Sequence, residues 1–121
     1  MTFRLQEIVG SNGKGVITTW LSGYGDARAR FRIRVMRLRQ SQRPWPKTEF
    51  RPLGKGLFEI KWKAGKKEFR AIGFDRGDCF VMVIGCTHKQ NVYDPHDCLN
   101  TATRRKGEVE RGEWRTIDFE P

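Results

Sequence analysis

Four side chains in the second half of the chain could do chemistry together: Arg70, His88, Lys89 and Tyr93. A guanidinium can hold two oxygens of one phosphate, and an ammonium is a compact positive charge. An imidazole changes its charge near neutral pH, and a phenol can donate a proton or stack on a nucleobase. These four residue types therefore suit the binding of a polyanion and a proton transfer beside it.

Three of these residues also have a purely structural interpretation. Arg70 can pair with a carboxylate of its own sheet, and Glu59 is the natural partner. Lys89 can be an ordinary surface lysine, and Tyr93 can be buried beneath the last helix. His96, the second of the two histidines, is expected at the surface.

Composition narrows the possible partners. The 121 residues include 24 Lys and Arg against 14 Asp and Glu, a net charge of +10, which favours nucleic acid, the ribosome, an acidic protein or an anionic membrane as partner. No run of 18 apolar residues could span a membrane, and the start, MTFRLQEIVG, lacks the apolar stretch of a signal peptide. We therefore expect a cytoplasmic protein with reduced thiols at positions 79, 86 and 98, two in a strand and one on a helix. Neither a metal-ligand spacing nor a glycine-rich phosphate loop is present, so we expect neither a metal nor an organic cofactor.

The stretch 57–89 must position most of these groups. It contains three β-rich runs separated by the turn signals Ala64-Gly65 and Arg76-Gly77, which predicts a three-stranded antiparallel meander. This register places Glu59 opposite Arg70, so that opposite charges meet across the strands. Alternation predicts an apolar face of Phe58, Ile60, Trp62, Phe69, Ala71, Phe80, Met82 and Ile84. The basic face then carries Glu59, Lys61, Lys63, Lys66, Glu68, Arg70, Thr87 and Lys89.

The rest of the chain predicts helices around this meander. A strand over 3–9, with Phe3 and Leu5 inward, precedes helices over 15–21, 27–39 and 95–110. Asp26 and Asp94 are the predicted N-caps of the second and third helices. The predicted buried residues of the first two helices are Trp20, Leu21, Ala27, Phe31, Val35 and Leu38.

The predicted fold is one α+β domain over 1–121 in the order β-α-α-β-β-β-α. Its helices pack on the apolar sheet face and leave the basic face open. Residues 113–121 form either a surface tail or an additional strand.

An ordered set of short motifs now points to a family. The motifs are Leu57-Phe58-Glu59-Ile60-Lys61, Phe69-Arg70, Thr87-His88-Lys89, Asp94-Pro95, and Ala102 with Arg104-Arg105. Together they cover about residues 50–110 and resemble the RelE/ParE superfamily of toxins from bacterial type II toxin–antitoxin systems. The branch that the chain resembles is the HigB-like, phage-related one.

The resemblance implies a RelE-like fold and a ribosome-dependent mRNA endoribonuclease (an mRNA interferase) that needs no cofactor, inhibits translation and arrests growth. It implies catalytic roles for Arg70, Lys89, His88 and Tyr93, with His88 standing where relatives often have lysine. Candidates for contact with RNA or the ribosome are Lys61, Lys63, Lys66, Lys67, Arg104 and Arg105, although each hairpin lysine alone also fits a solvated edge. The arginine-rich helix over 27–39 suits either RNA or an acidic antitoxin.

The implied partners are the ribosome, mRNA and a cognate antitoxin, which we expect to be a helix-turn-helix protein encoded beside the toxin. Operator DNA would be contacted only through that antitoxin, and no membrane is involved. Two alternatives stay open. One is a ParE-like inhibitor of DNA gyrase without nuclease activity, and the other is a non-catalytic, phage-related nucleic-acid-binding protein.

Overall fold

A mixed sheet with helices on both faces forms the framework of the protein. The computed structural model describes residues 4–42, 45–90 and 92–120. The elements in chain order are β1 (Arg4–Ile8), α1 (Val16–Leu21), α2 (Gly25–Gln40), β2 (Phe50–Gly54), β3 (Leu57–Ala64), β4 (Lys67–Arg76), β5 (Cys79–Lys89), β6 (Val92–Asp94), α3 (Cys98–Glu110) and β7 (Thr116–Asp118). The α+β class is therefore confirmed.

The sheet is larger than the predicted meander. Its described strands follow the order β2-β3-β4-β5-β1-β7, and β6 pairs with the end of β5. Strands β3, β4 and β5 form the predicted antiparallel meander, and β1 runs parallel to β5. The sheet contains more strands than were predicted, because β2 and β6 also join it. Both were missed since β2 contains Pro52 and Gly54 and β6 has only three residues, too few for a periodic pattern.

The register of the first hairpin differs from the prediction by two positions. Lys61 lies opposite Arg70, where the prediction placed Glu59, because the two-residue turn is Gly65-Lys66 and not Ala64-Gly65. Gly65 has a positive φ of 63°, a backbone conformation that glycine adopts without strain. Because the shift is even, every side chain keeps its predicted face. Glu59 and Arg70 therefore still share one face of the sheet.

A β-bulge changes the faces of the second hairpin. Val83 is an additional residue in β5, so the pairing with β4 slips by one position beyond it. His88 consequently shares the face of Arg70, whereas Thr87 and Lys89 lie on the opposite face. The prediction that Thr87 and Lys89 continue the Arg70 face is wrong, since a bulge leaves no clear signal in the alternation of the sequence.

Helices α1 and α2 cover the apolar face, hereafter the first face. All four predicted contacts of α2 are buried, and so is Leu21 of α1. The ring of Phe31 stacks on Trp62 with centroids 4.2 Å apart, and the indole N–H of Trp62 donates to the carbonyl of Ala27. Trp20 is only partly buried, and it lies so close to Gly85 that a Cβ there would come within 2.0 Å of the indole ring.

Helix α3 covers much of the second face, which was predicted to be open. Its apolar residues pack on the β4–β5 part of the sheet in a second buried cluster that includes Ile72, Phe74, Val81, Val83, Cys86, Cys98, Ala102 and Val109. Ile84, predicted for the first face, joins this cluster because of the bulge. The prediction of an open basic face is therefore wrong: Arg70 is buried and Lys61 is half-buried, while Lys63 and Lys66 at the end of the hairpin are exposed.

Two predicted caps are not the residues that begin the helices. The N-cap of α2 is Tyr24, and Asp26 lies in the first turn, 3.4 Å from Arg30. Helix α3 starts after Asp97, while Asp94 belongs to β6. The start of α1 is capped by a side chain of the sheet. The buried carboxylate of Glu7 accepts hydrogen bonds from the backbone N–H groups of residues 17 and 18 at 2.8 and 2.9 Å.

The end of the described chain returns to the sheet. Strand β7 pairs antiparallel with β1, and Phe119 is buried against the first face, so the additional-strand alternative for 113–121 is confirmed. Leu5 is buried as predicted, while Phe3 lies outside the described residues. No helix in the described ranges is long and apolar enough to cross a membrane.

Candidate active site

A basic groove lies at the end of the sheet where β4 begins and β5 ends. Its volume is about 720 Å³, and its lining residues are Lys66, Lys67, Thr87, His88, Lys89, Gln90, Val92 and Asp94. Three lysines and one carboxylate give it a net positive charge. The groove brings together four of the residues that the sequence singled out, namely Lys66, Lys67, His88 and Lys89.

His88 is held from two sides. On β6, Tyr93 is its cross-strand partner, and the two ring centroids are 4.7 Å apart. On β4, Nη2 of Arg70 lies 3.3 Å from Nδ1 of His88. A guanidinium has only donors, so Nδ1 must be the acceptor in this contact. We therefore assign the ring proton of neutral His88 to Nε2, the nitrogen left for a ligand.

Arg70 lies beneath the groove and not in it. Its side chain is 5% exposed, and it forms ion pairs with Glu59 (Nε to Oε2, 3.2 Å) and Glu68 (Nη2 to Oε1, 3.2 Å). The Nε–H is close to Glu59 without the alignment of a hydrogen bond. With two carboxylates as partners, Arg70 is poorly placed to hold a phosphate and well placed to orient His88.

Glu59 is the buried centre of this network. Its side chain is fully buried, and its carboxylate contacts Arg70, the phenol of Tyr93 at 3.2 Å and Nη2 of Arg51 at 2.9 Å. The negative charge of Glu59 raises the pKa of Arg51. Two carboxylates, Glu59 and Glu68, thus face two guanidinium groups, which balances the charge beneath the groove.

Tyr93 is engaged with Glu59 and is not poised to give up its proton. Burial is the largest cause, and the Glu59 charge the next, of a pKa raised to about 12. The phenol is therefore neutral at physiological pH, donates its hydrogen bond to Glu59 and packs against His88. This geometry favours a positioning role over the predicted role in stacking on a base.

The thiols near the network are inert. Cys86 lies opposite Arg70 in the β4–β5 ladder, and both Cys86 and Cys98 are fully buried and free of disulfides. A hydrogen bond with Cys98 and burial raise the pKa of Cys86, so that it stays a neutral thiol. Within the described ranges, no three His, Cys, Asp or Glu side chains are arranged to hold a metal ion.

The remaining predicted contact residues lie outside the groove. Lys61 is half-buried beside Arg70, and Lys63 lines a shallow hollow next to α2. Arg104 is exposed on α3. Arg105 donates to the carbonyl of Val83 at 2.7 Å, and its guanidinium lies 5.4 Å from the ring centroid of Trp114, which is a structural arrangement.

Two members of the network were not predicted from the sequence. One is Arg51, and the other is Glu68 in its role as a partner of Arg70. Arg51 lies opposite Glu59 in the β2–β3 ladder. Recognising β2 from its Phe50-Arg51-Pro52 run would have been enough to place this second arginine beside Glu59. The pairing of His88 with Tyr93 was missed because β6 was not recognised.

Comparison with known proteins identifies the family. Residues 20–107, more than half of the chain, match the family described as "Phage derived protein Gp49-like (DUF891)". The chain belongs to this family, a RelE/ParE-like toxin family of toxin–antitoxin systems, which implies a cognate antitoxin as partner. No curated protein and no solved structure gives a significant match.

Proposed function

We propose that this Gp49-like toxin is a ribosome-dependent mRNA endoribonuclease of the HigB-like branch, and that the basic groove binds the RNA at the cleaved phosphate. The observation that supports this most directly is the position of His88. Its Nε2–H is a hydrogen-bond donor in a groove with three lysines, and Arg70 and Tyr93 contact its ring from the other side.

The reaction that suits these groups is attack by a 2′-hydroxyl on the neighbouring phosphorus. The bond between phosphorus and the 5′-oxygen breaks, negative charge grows on the phosphoryl oxygens, and the departing 5′-oxygen takes a proton. In this proposal the 2′-hydroxyl proton passes to water, the ammonium of Lys89 donates the proton that the 5′-oxygen takes, and the Nε2–H of neutral His88 donates a hydrogen bond to a phosphoryl oxygen. The ammonium groups of Lys66, Lys67 and Lys89 stabilise the growing charge, and Lys89 is nearest to His88 in sequence.

Arg70 and Tyr93 act through His88 in this proposal. A catalytic group that is already oriented loses little entropy when the substrate arrives, so fixing the imidazole contributes to rate. Glu59 in turn holds both Arg70 and Tyr93. The network thus positions one catalytic side chain from three strands, and it needs neither a metal nor an organic cofactor for this step.

The wider biological proposal follows from the toxin family. Cutting messages on the ribosome in the cytoplasm would inhibit translation and arrest growth. The antitoxin would be a helix-turn-helix protein encoded beside the toxin, and operator DNA would be contacted only through it. We also propose that residues 1–121 act as one domain.

Induced expression followed by primer extension of mRNA tests the proposal. We expect new 5′ ends within coding frames soon after induction. Intact messages together with induction of the DNA-damage response would overturn RNA cleavage in favour of gyrase inhibition. Unimpaired growth with intact messages would instead indicate a non-catalytic nucleic-acid-binding protein.

A further inference from the structure

The exposed face of α2 carries an apolar strip that the candidate active site does not use. Ala29, Ile33 and Met36 follow one another at helical spacing, on the side away from the buried Phe31 and Val35. Ile33 is 69% exposed and Met36 is 47% exposed, and Ile33 is the most exposed large apolar side chain of the described residues. These two side chains therefore do not contribute to the buried core.

Arginines border the strip on both sides. At 100° per residue, Arg30 and Arg37 lie on one flank of Ile33, and Arg28 and Arg32 lie on the other. The structure has a hollow on each flank. One, of about 270 Å³, is lined by Gly25, Arg28, Ala29 and Arg32. The other, of about 180 Å³, is lined by Arg30, Ile33, Arg34, Arg37, Trp62 and Lys63.

The positive charge of this face is largely uncompensated. Arg30 has an exposed partner in Asp26 at 3.4 Å, and Arg34 and Arg37 share the single carboxylate of Glu49. In the described part of the chain, Arg28 and Arg32 form no ion pair. Exposed pairs such as Asp26–Arg30 contribute little and exchange readily for others, so a ligand with carboxylates on two flanks would be well matched.

We propose that this face of α2 is the docking surface for an acidic amphipathic α-helix of a protein partner. The apolar stripe of that helix would cover Ile33 and Met36, and its flanking carboxylates would enter the two arginine hollows, as in helix pairs with apolar seams and charged borders. The family implies an antitoxin, and a helix of that protein would suit this surface. The inference does not depend on RNA cleavage, because it concerns a different face.

Two other occupants fit less well. A second copy of α2 would bring two rows of arginines together, which is repulsive. RNA would use the arginines but would leave the apolar side chains of Ile33 and Met36 without a counterpart, whereas a protein helix uses both features.

Titration of the full-length protein with a synthetic acidic amphipathic peptide of about 20 residues tests the proposal. The peptide carries leucines along one face and glutamates on both flanks. We expect binding, with amide shift changes confined to α2 and the neighbouring end of β3. Joint Ile33→Ser and Met36→Ser substitution should weaken binding about tenfold or more, since two buried apolar side chains are lost. Joint Arg28→Gln and Arg32→Gln substitution should weaken it and reduce its salt dependence.

Matched controls separate this surface from general stickiness or charge. Ile117→Ser removes another exposed apolar side chain, and Arg115→Gln removes an exposed charge elsewhere; both should leave the affinity unchanged. A peptide of the same composition in scrambled order should not bind. Absence of binding by the original peptide, or equal binding by the Ile33 and Met36 double variant, would overturn the proposal.

Two further measurements distinguish the other macromolecules and the other function. Single-stranded RNA and anionic vesicles replace the peptide in parallel titrations. If either one binds and Ile33→Ser abolishes that binding, the ligand of this surface is RNA or a membrane and the proposal of a protein helix is overturned. Message cleavage is measured in the same variants. The Ile33 and Met36 double variant should cleave normally, so a failure of docking and a failure of the nuclease give different results.

Discussion

Nη2 of Arg70 lies 3.3 Å from Nδ1 of His88, although the two residues are not cross-strand partners. In the β4–β5 ladder Arg70 is opposite Cys86, and His88 is opposite Glu68. The contact is therefore diagonal, and it requires that His88 and Arg70 share a face. The bulge at Val83 provides this, because without the extra residue the imidazole would point to the first face.

His88 is expected to be the residue on which RNA cleavage depends most. His88→Leu removes the Nε2–H that donates to the phosphoryl oxygen and should slow cleavage by about 10²- to 10³-fold, measured as the rate at which new 5′ ends appear. The other histidine is a matched control, since His96 is exposed in the bend before α3 and His96→Leu should cleave normally. Normal cleavage by folded His88→Leu protein would transfer the stabilisation of the phosphoryl oxygens to other groups.

The groove lysines should control the salt dependence of RNA binding. Each ammonium that neutralises a phosphate of a single strand contributes about 0.7 to the slope of log affinity against log salt concentration. Joint substitution of Lys66, Lys67 and Lys89 by glutamine should therefore reduce that slope by about 2, measured by fluorescence anisotropy. The same change at the exposed residues Lys14, Lys47 and Lys55 is the charge-matched control. Equal effects of the two triple variants would show that only net charge matters.

Loss of Glu59 should destabilise the protein strongly. Glu59→Met leaves the guanidinium of Arg70 buried without its main partner, and removing one member of a buried pair typically costs about 3–5 kcal/mol. Urea unfolding should show this as a lowered midpoint. Joint Glu59→Met and Arg70→Met substitution should recover much of the stability, since no buried charge is left unpaired.

An exposed ion pair provides the comparison for Glu59. Asp118 lies 3.0 Å from Arg4 at the surface, and Asp118→Asn should shift the urea midpoint far less than Glu59→Met. Similar shifts for the two single variants would contradict the central role assigned to Glu59.

Tyr93 should make stability fall at alkaline pH. Its pKa in the folded protein is raised from 10.0 to about 12, so between these values the unfolded chain loses the phenolic proton and the folded protein keeps it. Stability contributed by the neutral phenol is therefore complete below pH 10 and lost as the pH rises towards 12. Urea midpoints of Tyr93→Phe should decline less steeply than those of the original protein over this interval. Parallel curves would contradict the Glu59–Tyr93 interaction.

Long, periodic elements were predicted well from sequence. Residues 27–39 form most of α2, and all four predicted core residues of this interval are buried. An apolar residue at every helical turn gives the helix one apolar face, which is stabilised by packing against the core. Strands β3 to β5 and helix α1 were also found. Strands β2 and β6 were missed, since five and three residues are stabilised by their neighbours in the sheet and not by their own pattern.

The Glu59–Arg70 ion pair was predicted from a register that is wrong by two positions. The pair survives because an even shift keeps both side chains on one face, and a long guanidinium reaches a diagonal neighbour. Lys89 does not keep its predicted face, because the bulge shifts the pairing of β5 by one position and moves Lys89 to the other face. It still lines the groove because it lies at the very end of the strand.

The sequence alone determined the basic character of the protein, its α+β class, the amphipathic α2 and the set of groups from which a site could be built. These properties depend on residue type and on spacing within one element. Only the tertiary structure decided that Arg70 is buried and neutralised, that His88 takes its place in the groove, and that Glu59 joins Arg51, Arg70 and Tyr93. Those relationships depend on a bulge and on two short strands, whose positions are set by long-range pairing and by the packing of α3 on the second face.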